Sequence, residues 1–294
     1  ASEMGRSLYE RLGFVHSNEM YYPMQVKGPE VVEGEHTEPS GRGAGGERPA
    51  VMFIPGTIAP ADFTYSGLLE VIGDEIEPIL KDLEVYAGEA PPPGYALETE
   101  VEGIMRVGDE RGLGRFHLVG HSIGGAAALA FAAEYPERVR SLALIEPGSI
   151  ARVDSTAEEA AETDRILALP PEERLKEYSR LLVGEGVERP RGALLETPPP
   201  WMAKRPAGIE ATSRALRAYK LDWERFRTFQ QPVYLARGSL SHPRWERQAK
   251  RLAGLFPNIR VEVYEGRSHI DAPHRSEPER FAKALRELWS AAEA

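Results

Sequence analysis

The chain has 294 residues, 46 acidic against 36 basic side chains and a net charge of −10, a balance opposed to the positive footprint that nucleic acid or anionic lipid requires. It has no cysteine, which excludes disulfides, thiolate metal sites and a cysteine nucleophile. No apolar run approaches the roughly 20 residues of a membrane span, and the opening Ala1 to Arg6 lacks the basic start and apolar stretch of a secretory signal, so a cytoplasmic protein acting on a small molecule is expected.

Strand-like apolar runs alternate with helical patterns, the mark of an α/β fold with a mostly parallel sheet covered by helices. Residues 13–16 and 20–26 flank Ser17-Asn18-Glu19 and predict an antiparallel hairpin. The polar, Gly-rich stretch 33–48 has too little apolar area to offset its ordering entropy and predicts a mobile surface loop. A strand over 50–54 then enters Pro55-Gly56-Thr57, a helix is predicted over 65–80, and a strand over 83–86. A helix over 97–111 leads to a strand at 116–119, a tight turn, and the alanine-rich helix 123–135 that Pro136 closes. After a strand at 142–145, residues 150–229 turn helical, charged and proline-punctuated, which predicts a helical lid set into a core made of 1–149 and 230–294. The chain ends with a strand at 232–236, a helix at 244–256, a strand at 259–264 and an amphipathic helix over 278–289.

The turn at the centre reads Gly120-His121-Ser122-Ile123-Gly124. A serine hydroxyl is a poor nucleophile and needs exposure, an adjacent base and N–H donors for a developing oxyanion, which a strand–turn–helix supplies. Glycines two residues either side let strand and helix approach closely. With 28 glycines in the chain the bare pattern is weak, but an apolar strand runs straight into Gly120 and a small-residue helix straight out of Gly124, the context the motif demands.

Gly120-His121-Ser122-Ile123-Gly124-Gly125 resembles the nucleophile elbow of the α/β-hydrolase superfamily. Ile54-Pro55-Gly56-Thr57 sits where that family carries its first oxyanion turn, 131–139 resembles its usual helix end, and 266–281 resembles its histidine loop and last helix. The similarity of order runs from about 50 to 289, apart from the lid, which would follow the sixth strand. It implies an esterase-like hydrolase with Ser122 as nucleophile and the backbone N–H of Ile123, with that of Thr57 or Ile58, as oxyanion donors. The Pro55-Gly56 pair stands where the family often has His-Gly.

The base should be a histidine, the side chain whose ordinary pKa lets it take and return a proton near neutrality. His16 and His36 precede the sheet, His117 lies in a strand, and His121 neighbours the nucleophile but is expected to point away. His269 follows the 259–264 strand where the family delivers its histidine; His274 and His242 are reserves. For the acid, the loop after the 232–236 strand, Arg237 to Pro243, offers no carboxylate where the family usually has Asp. Some family members, including certain haloalkane dehalogenases, place it after the preceding strand, which here reads Leu144-Ile145-Glu146-Pro147-Gly148. The resemblance thus implies Glu146 as the acid, with Asp271, only two residues past His269, as its competitor and Glu246 expected on a helix.

Phe63 and Tyr65 after the oxyanion turn, with Trp201 and Trp223 in the lid, are candidate substrate-binding residues. No metal, nucleotide or flavin motif is present, so no cofactor is expected. A serine at 122 argues against haloalkane dehalogenase and epoxide hydrolase, which need Asp there. Peptidase, acyltransferase, lyase and C–C hydrolase chemistry remain open, as does a noncatalytic ligand-binding protein of the same fold.

Overall fold

The computed structural model describes residues 14–16, 21–23, 48–187 and 199–293. Strands β1 (Phe14–His16) and β2 (Tyr21–Pro23) pair antiparallel, Phe14 opposite Pro23 and His16 opposite Tyr21. They form a two-stranded sheet of their own, shorter than the pattern predicts, within the unit Ala1–Arg48. The loop expected over 33–48 falls, but for Arg48, outside the described residues.

The unit Pro49–Ala294 is built on six parallel strands in the order β4-β3-β5-β6-β7-β8. These are β3 (Ala50–Ile54), β4 (Glu77–Leu80), β5 (Phe116–His121), β6 (Val139–Ile145), β7 (Val233–Gly238) and β8 (Ile259–Tyr264). Parallel strands buried on both faces read as continuous apolar runs, which is how β3 and Leu142 to Ile145 of β6 read. Alternate residues feed two cores. Met52, Ile54, Leu118, Leu142, Leu144 and Leu235 meet one layer of helices, α2 (Leu97–Glu110) and α3 (Ile123–Glu134). Val51, Phe53, Val119, Ala143, Tyr234 and Ala236 meet the other, α1 (Ala61–Ile72) and the C-terminal helix Pro278–Glu293.

One expectation fails between 61 and 86. The helix stops at Ile72, the strand is Glu77–Leu80, and Glu84–Tyr86 is a 3₁₀ turn rather than a strand. Gly73 ends the helix, and Pro78, which lacks an N–H and cannot sit inside a helix, falls in β4 at the sheet edge. The backbone N–H groups of Glu84 and Val85, which a strand would turn to a neighbour, donate to the buried Glu100 carboxylate at 3.0 and 3.2 Å.

Between β6 and β7 the described residues are helical, with α4 (Ala157–Leu167), α5 (Pro171–Tyr178) and α6 (Arg205–Ala218). After β7 come α7 (Arg244–Ala253), α8 (Pro273–Ser276) and the C-terminal helix, α9 (Pro278–Glu293). Among the described residues no helix is long and apolar enough to cross a membrane.

Candidate active site

Ser122 stands between the last residue of β5 and the first of α3, at φ 54° and ψ −120°, a conformation that costs a non-glycine residue of order 1–3 kcal/mol and persists only where the surroundings over-determine it. Here the Ser122 N–H donates to the Ile145 carbonyl at 3.0 Å, and its own carbonyl accepts from Gly148 at 2.7 Å and Ala126 at 3.0 Å. The glycines are sterically required. A Cβ on Gly120 would meet the Gly124 carbonyl at 2.5 Å, and one on Gly124 the Ile54 and Pro55 carbonyls at 2.5 Å.

Glu146 leaves β6 with a second positive φ, 44°. Its carboxylate is fully buried and each oxygen has a donor: Oε1 accepts the Gly238 N–H at 2.8 Å and Oε2 lies 2.9 Å from His269 Nδ1. His269 Nε2 is 3.1 Å from Ser122 Oγ. The three residues that the sequence picks out are therefore brought together in one chain of hydrogen bonds. Gly238, at the strand end where the family usually carries its acid, instead gives Glu146 a backbone donor, and a Cβ there would collide with the Arg267 carbonyl of the histidine loop.

The rival groups are placed elsewhere. Asp271 pairs with Arg267 at 3.1 Å and is half exposed, and Glu246 lies on α7 paired with Lys250. His242, beside Arg244, is pushed by burial down to about 4. His117 is buried with Nδ1 2.8 Å from Ser141 Oγ, and burial holds it at about 4. His121 departs from expectation: its ring does not point away but packs 4.9 Å from both the His269 and His274 rings. Burial drives His121 and His274 well below the ordinary histidine range, so both are neutral packing partners at pH 7.

The turn Pro55-Gly56-Thr57 abuts the elbow, since a Cβ on Gly56 would lie 3.2 Å from that of Ser122. Among the described residues, the N–H groups of Thr57, Ile58 and Ile123 donate to no backbone carbonyl outside the regular helices and strands. The Thr57 carbonyl accepts the Tyr86 hydroxyl at 2.8 Å, and Tyr178 at the end of α5 reaches Thr57 from the insertion, its phenol raised by burial and drawn back by Arg244 and by Thr57.

Of the four pocket candidates, two are corrected. Tyr65 is fully buried, donates its hydroxyl to the Ile54 carbonyl at 2.7 Å and packs between Phe53 and His274. It belongs to the core because the helix starts at Ala61 and turns that face onto the sheet. Trp223 lies under the Arg251 guanidinium at 3.7 Å and against Phe226, covering the core. Phe63 and Trp201 do face each other, at 5.9 Å, and Trp201 lines a cavity of about 810 Å³ whose other walls include Pro55, Gly56 and Tyr86.

Sequence reasoning missed Trp245. Its indole stacks on His269 at 4.1 Å and 16°, and its N–H donates to the Pro147 carbonyl at 3.1 Å. The His121 ring packs against the same imidazole at 4.9 Å. The only sequence signal is a tryptophan just after Pro243 at the start of a charged helix.

The model of the Alpha/beta hydrolase family matches residues 43–284. A 2-hydroxy-6-oxo-6-phenylhexa-2,4-dienoate hydrolase of Comamonas testosteroni is 52% identical over 57 residues, 19% of this chain and 19% of that protein's length. Among solved structures, a thermophilic esterase from Thermogutta terrifontis is similar at TM-score 0.65 and 22% identity, over 85% of this chain and 92% of its own. The carboxylesterase CesB of Bacillus subtilis is similar at TM-score 0.58 and 16% identity, over 82% and 83%. At such identities the two structures speak to the fold.

Proposed function

The chain belongs to the alpha/beta hydrolase family, and on that premise we propose that it is a serine hydrolase cleaving a small-molecule carboxylic ester through an acyl-enzyme on Ser122. The observation that carries this reading is the unbroken series Ser122 Oγ, His269 Nε2 and Nδ1, Glu146 Oε2, at 3.1 and 2.9 Å, on a strained elbow.

As the Ser122 oxygen bonds to the ester carbonyl carbon, its proton passes to His269 Nε2. The carbonyl oxygen becomes an oxyanion facing the N–H groups of Ile123 and of Thr57 or Ile58. When the C–O bond to the alcohol breaks, His269 returns the proton to the departing oxygen. Water then adds to the acyl carbon, giving its proton to His269, and expulsion of the serine oxygen, which takes that proton back, releases the acid. Glu146 holds Nδ1–H in the productive tautomer and stabilises the imidazolium. The helices between β6 and β7 act as a lid over this site, with Tyr178 and Trp201 as its contributions.

The same three residues serve C–C bond hydrolysis, and the stretch shared with the Comamonas testosteroni enzyme makes that the second reading. A fluorophosphonate probe tests the nucleophile directly. An adduct at Ser122, and a fall of about six orders of magnitude in p-nitrophenyl ester turnover in Ser122→Ala, are expected. A folded protein that takes no label would instead be a ligand-binding member of the fold.

A further inference from the structure

The cavity lined by Pro55 and Gly56 is also lined by a guanidinium that forms no ion pair among the described residues. Arg205, first residue of α6, is only 3% exposed, and its Nε is buried with no hydrogen-bond partner. Its neighbours are otherwise engaged. Lys204 is taken by Glu89 at 3.0 Å, Lys81 by Glu84 and Glu100, and Arg106 by Glu84 and Glu110. Among the described residues, no carboxylate lies within ion-pair distance of Arg205.

A buried charge without a counter-ion is costly, and the aromatic rings offset only part of that cost. The Tyr86 ring lies 3.8 Å and the Trp201 ring 5.0 Å from the guanidinium carbon. Both contacts use the π faces of the rings; the Tyr86 hydroxyl also interacts with Arg205, but neither ring offers the guanidinium's in-plane N–H fork a charged acceptor of the kind a carboxylate provides. Arg205 lines the cavity. It also begins a 14-residue helix, whose N-terminal end favours negative charge.

The cavity borders the turn that packs on Ser122. Gly56 lines it and also packs on Ser122, and Tyr86, the ring under Arg205, donates to the carbonyl of Thr57 in the oxyanion turn. Gly56 is thus the border shared by Ser122 and the cavity that Arg205 lines.

We propose that Arg205 binds a carboxylate carried by the substrate, so that the esters favoured by this enzyme are anionic ones. This rests on the serine-hydrolase reading above. A singly charged carboxylate fits better than a phosphate, because Asp62, Asp82, Glu84 and Glu89 also line the cavity and would repel a dianion. Arg205 touches the remote end of the substrate and takes no part in proton transfer.

The test compares two pairs of esters: p-nitrophenyl butyrate with mono-p-nitrophenyl glutarate for a carboxylate on the acyl side, and phenyl acetate with 4-carboxyphenyl acetate for one on the leaving side. In at least one pair the carboxylated member is expected to have a kcat/KM at least about 10-fold higher, and Arg205→Met to bring that ratio to about one, chiefly through KM, with Arg205→Lys keeping part of it. No preference in either pair, or an equal loss on both members in Arg205→Met, overturns the proposal. Calorimetry with glutarate on Ser122→Ala protein separates this from failure of the hydrolase reading, since it needs no turnover. Binding that Arg205→Met abolishes supports the site even if no ester is cleaved, and glutarate binding that is absent or indifferent to Arg205 refutes it. If Arg205→Met does not fold, Arg205→Gln takes its place in both arms.

Discussion

On the sheet side of Ser122, each polar atom of the candidate triad has a partner: Glu146 accepts from Gly238 and His269, His269 reaches Ser122, and the Ser122 backbone is tied to Ile145, Gly148 and Ala126. In the cavity lined by Pro55 and Gly56, Arg205 is buried against Tyr86 and Trp201 with no carboxylate among the described residues within ion-pair distance. The first wall is closed and strained, the second closed in packing but open in charge. Reacting groups must be held before substrate arrives, whereas recognition is completed by the substrate itself.

The largest expected effect breaks the closed wall. In Glu146→Gln the amide can accept from only one of Gly238 and His269 and turns its NH₂ on the other, so His269 loses its tautomer. Ester turnover should fall by about four orders of magnitude on charged and neutral esters alike, with folding retained. Kinetics on both ester pairs would check this, and full activity would remove Glu146 from the machinery.

Acid should act on the two walls differently. His121 and His274, packed behind the elbow, and His117 in β5 have folded-state pKa values below the ordinary 6.5, so below pH 6.5 the unfolded chain binds protons that the folded chain refuses. Stability is therefore full above 6.5 and declines as the pH falls, for His117 until about 4. Between pH 6.5 and 5 the loss is about 2 kcal/mol for each histidine held neutral. Urea midpoints at pH 7.5 and 5 measure it. His274→Leu, which removes two buried ring nitrogens without partners, should flatten the slope, and the Arg205 variants should leave it as it is.

The smallest effect measures the strain alone. Ser122→Gly accommodates φ 54° where Ser122→Ala does not, and should be more stable than Ser122→Ala by about 1 kcal/mol in thermal or urea unfolding. Equal stability would mean that the elbow stores no strain.

The elbow was legible because its needs are local: an apolar strand, glycines at 120 and 124 and a small-residue helix all lie within one stretch of chain. Glu146 is picked out by default, from a loop at 237–243 without an acid; what holds its carboxylate toward His269, the Gly238 N–H from the next strand, is a register fact. The 65–86 region misled because its apolar residues fit helix and strand alike, and the deciding partner, Glu100, is 15 residues or more away. Tyr65 and Trp223 show the same limit, since an aromatic near a site in sequence carries no sign of which face it buries.

The sequence by itself determined the fold class and singled out Ser122 and the 266–281 loop as candidates, because strand and helix periodicity and the steric demand for glycine are written in neighbouring residues. Only the tertiary structure decided what surrounds them. It set Trp245 against His269, His121 beside it and Arg205 without an acid, because those contacts join segments tens to more than a hundred residues apart, and burial, not residue type, fixes whether a charge is paired or waiting.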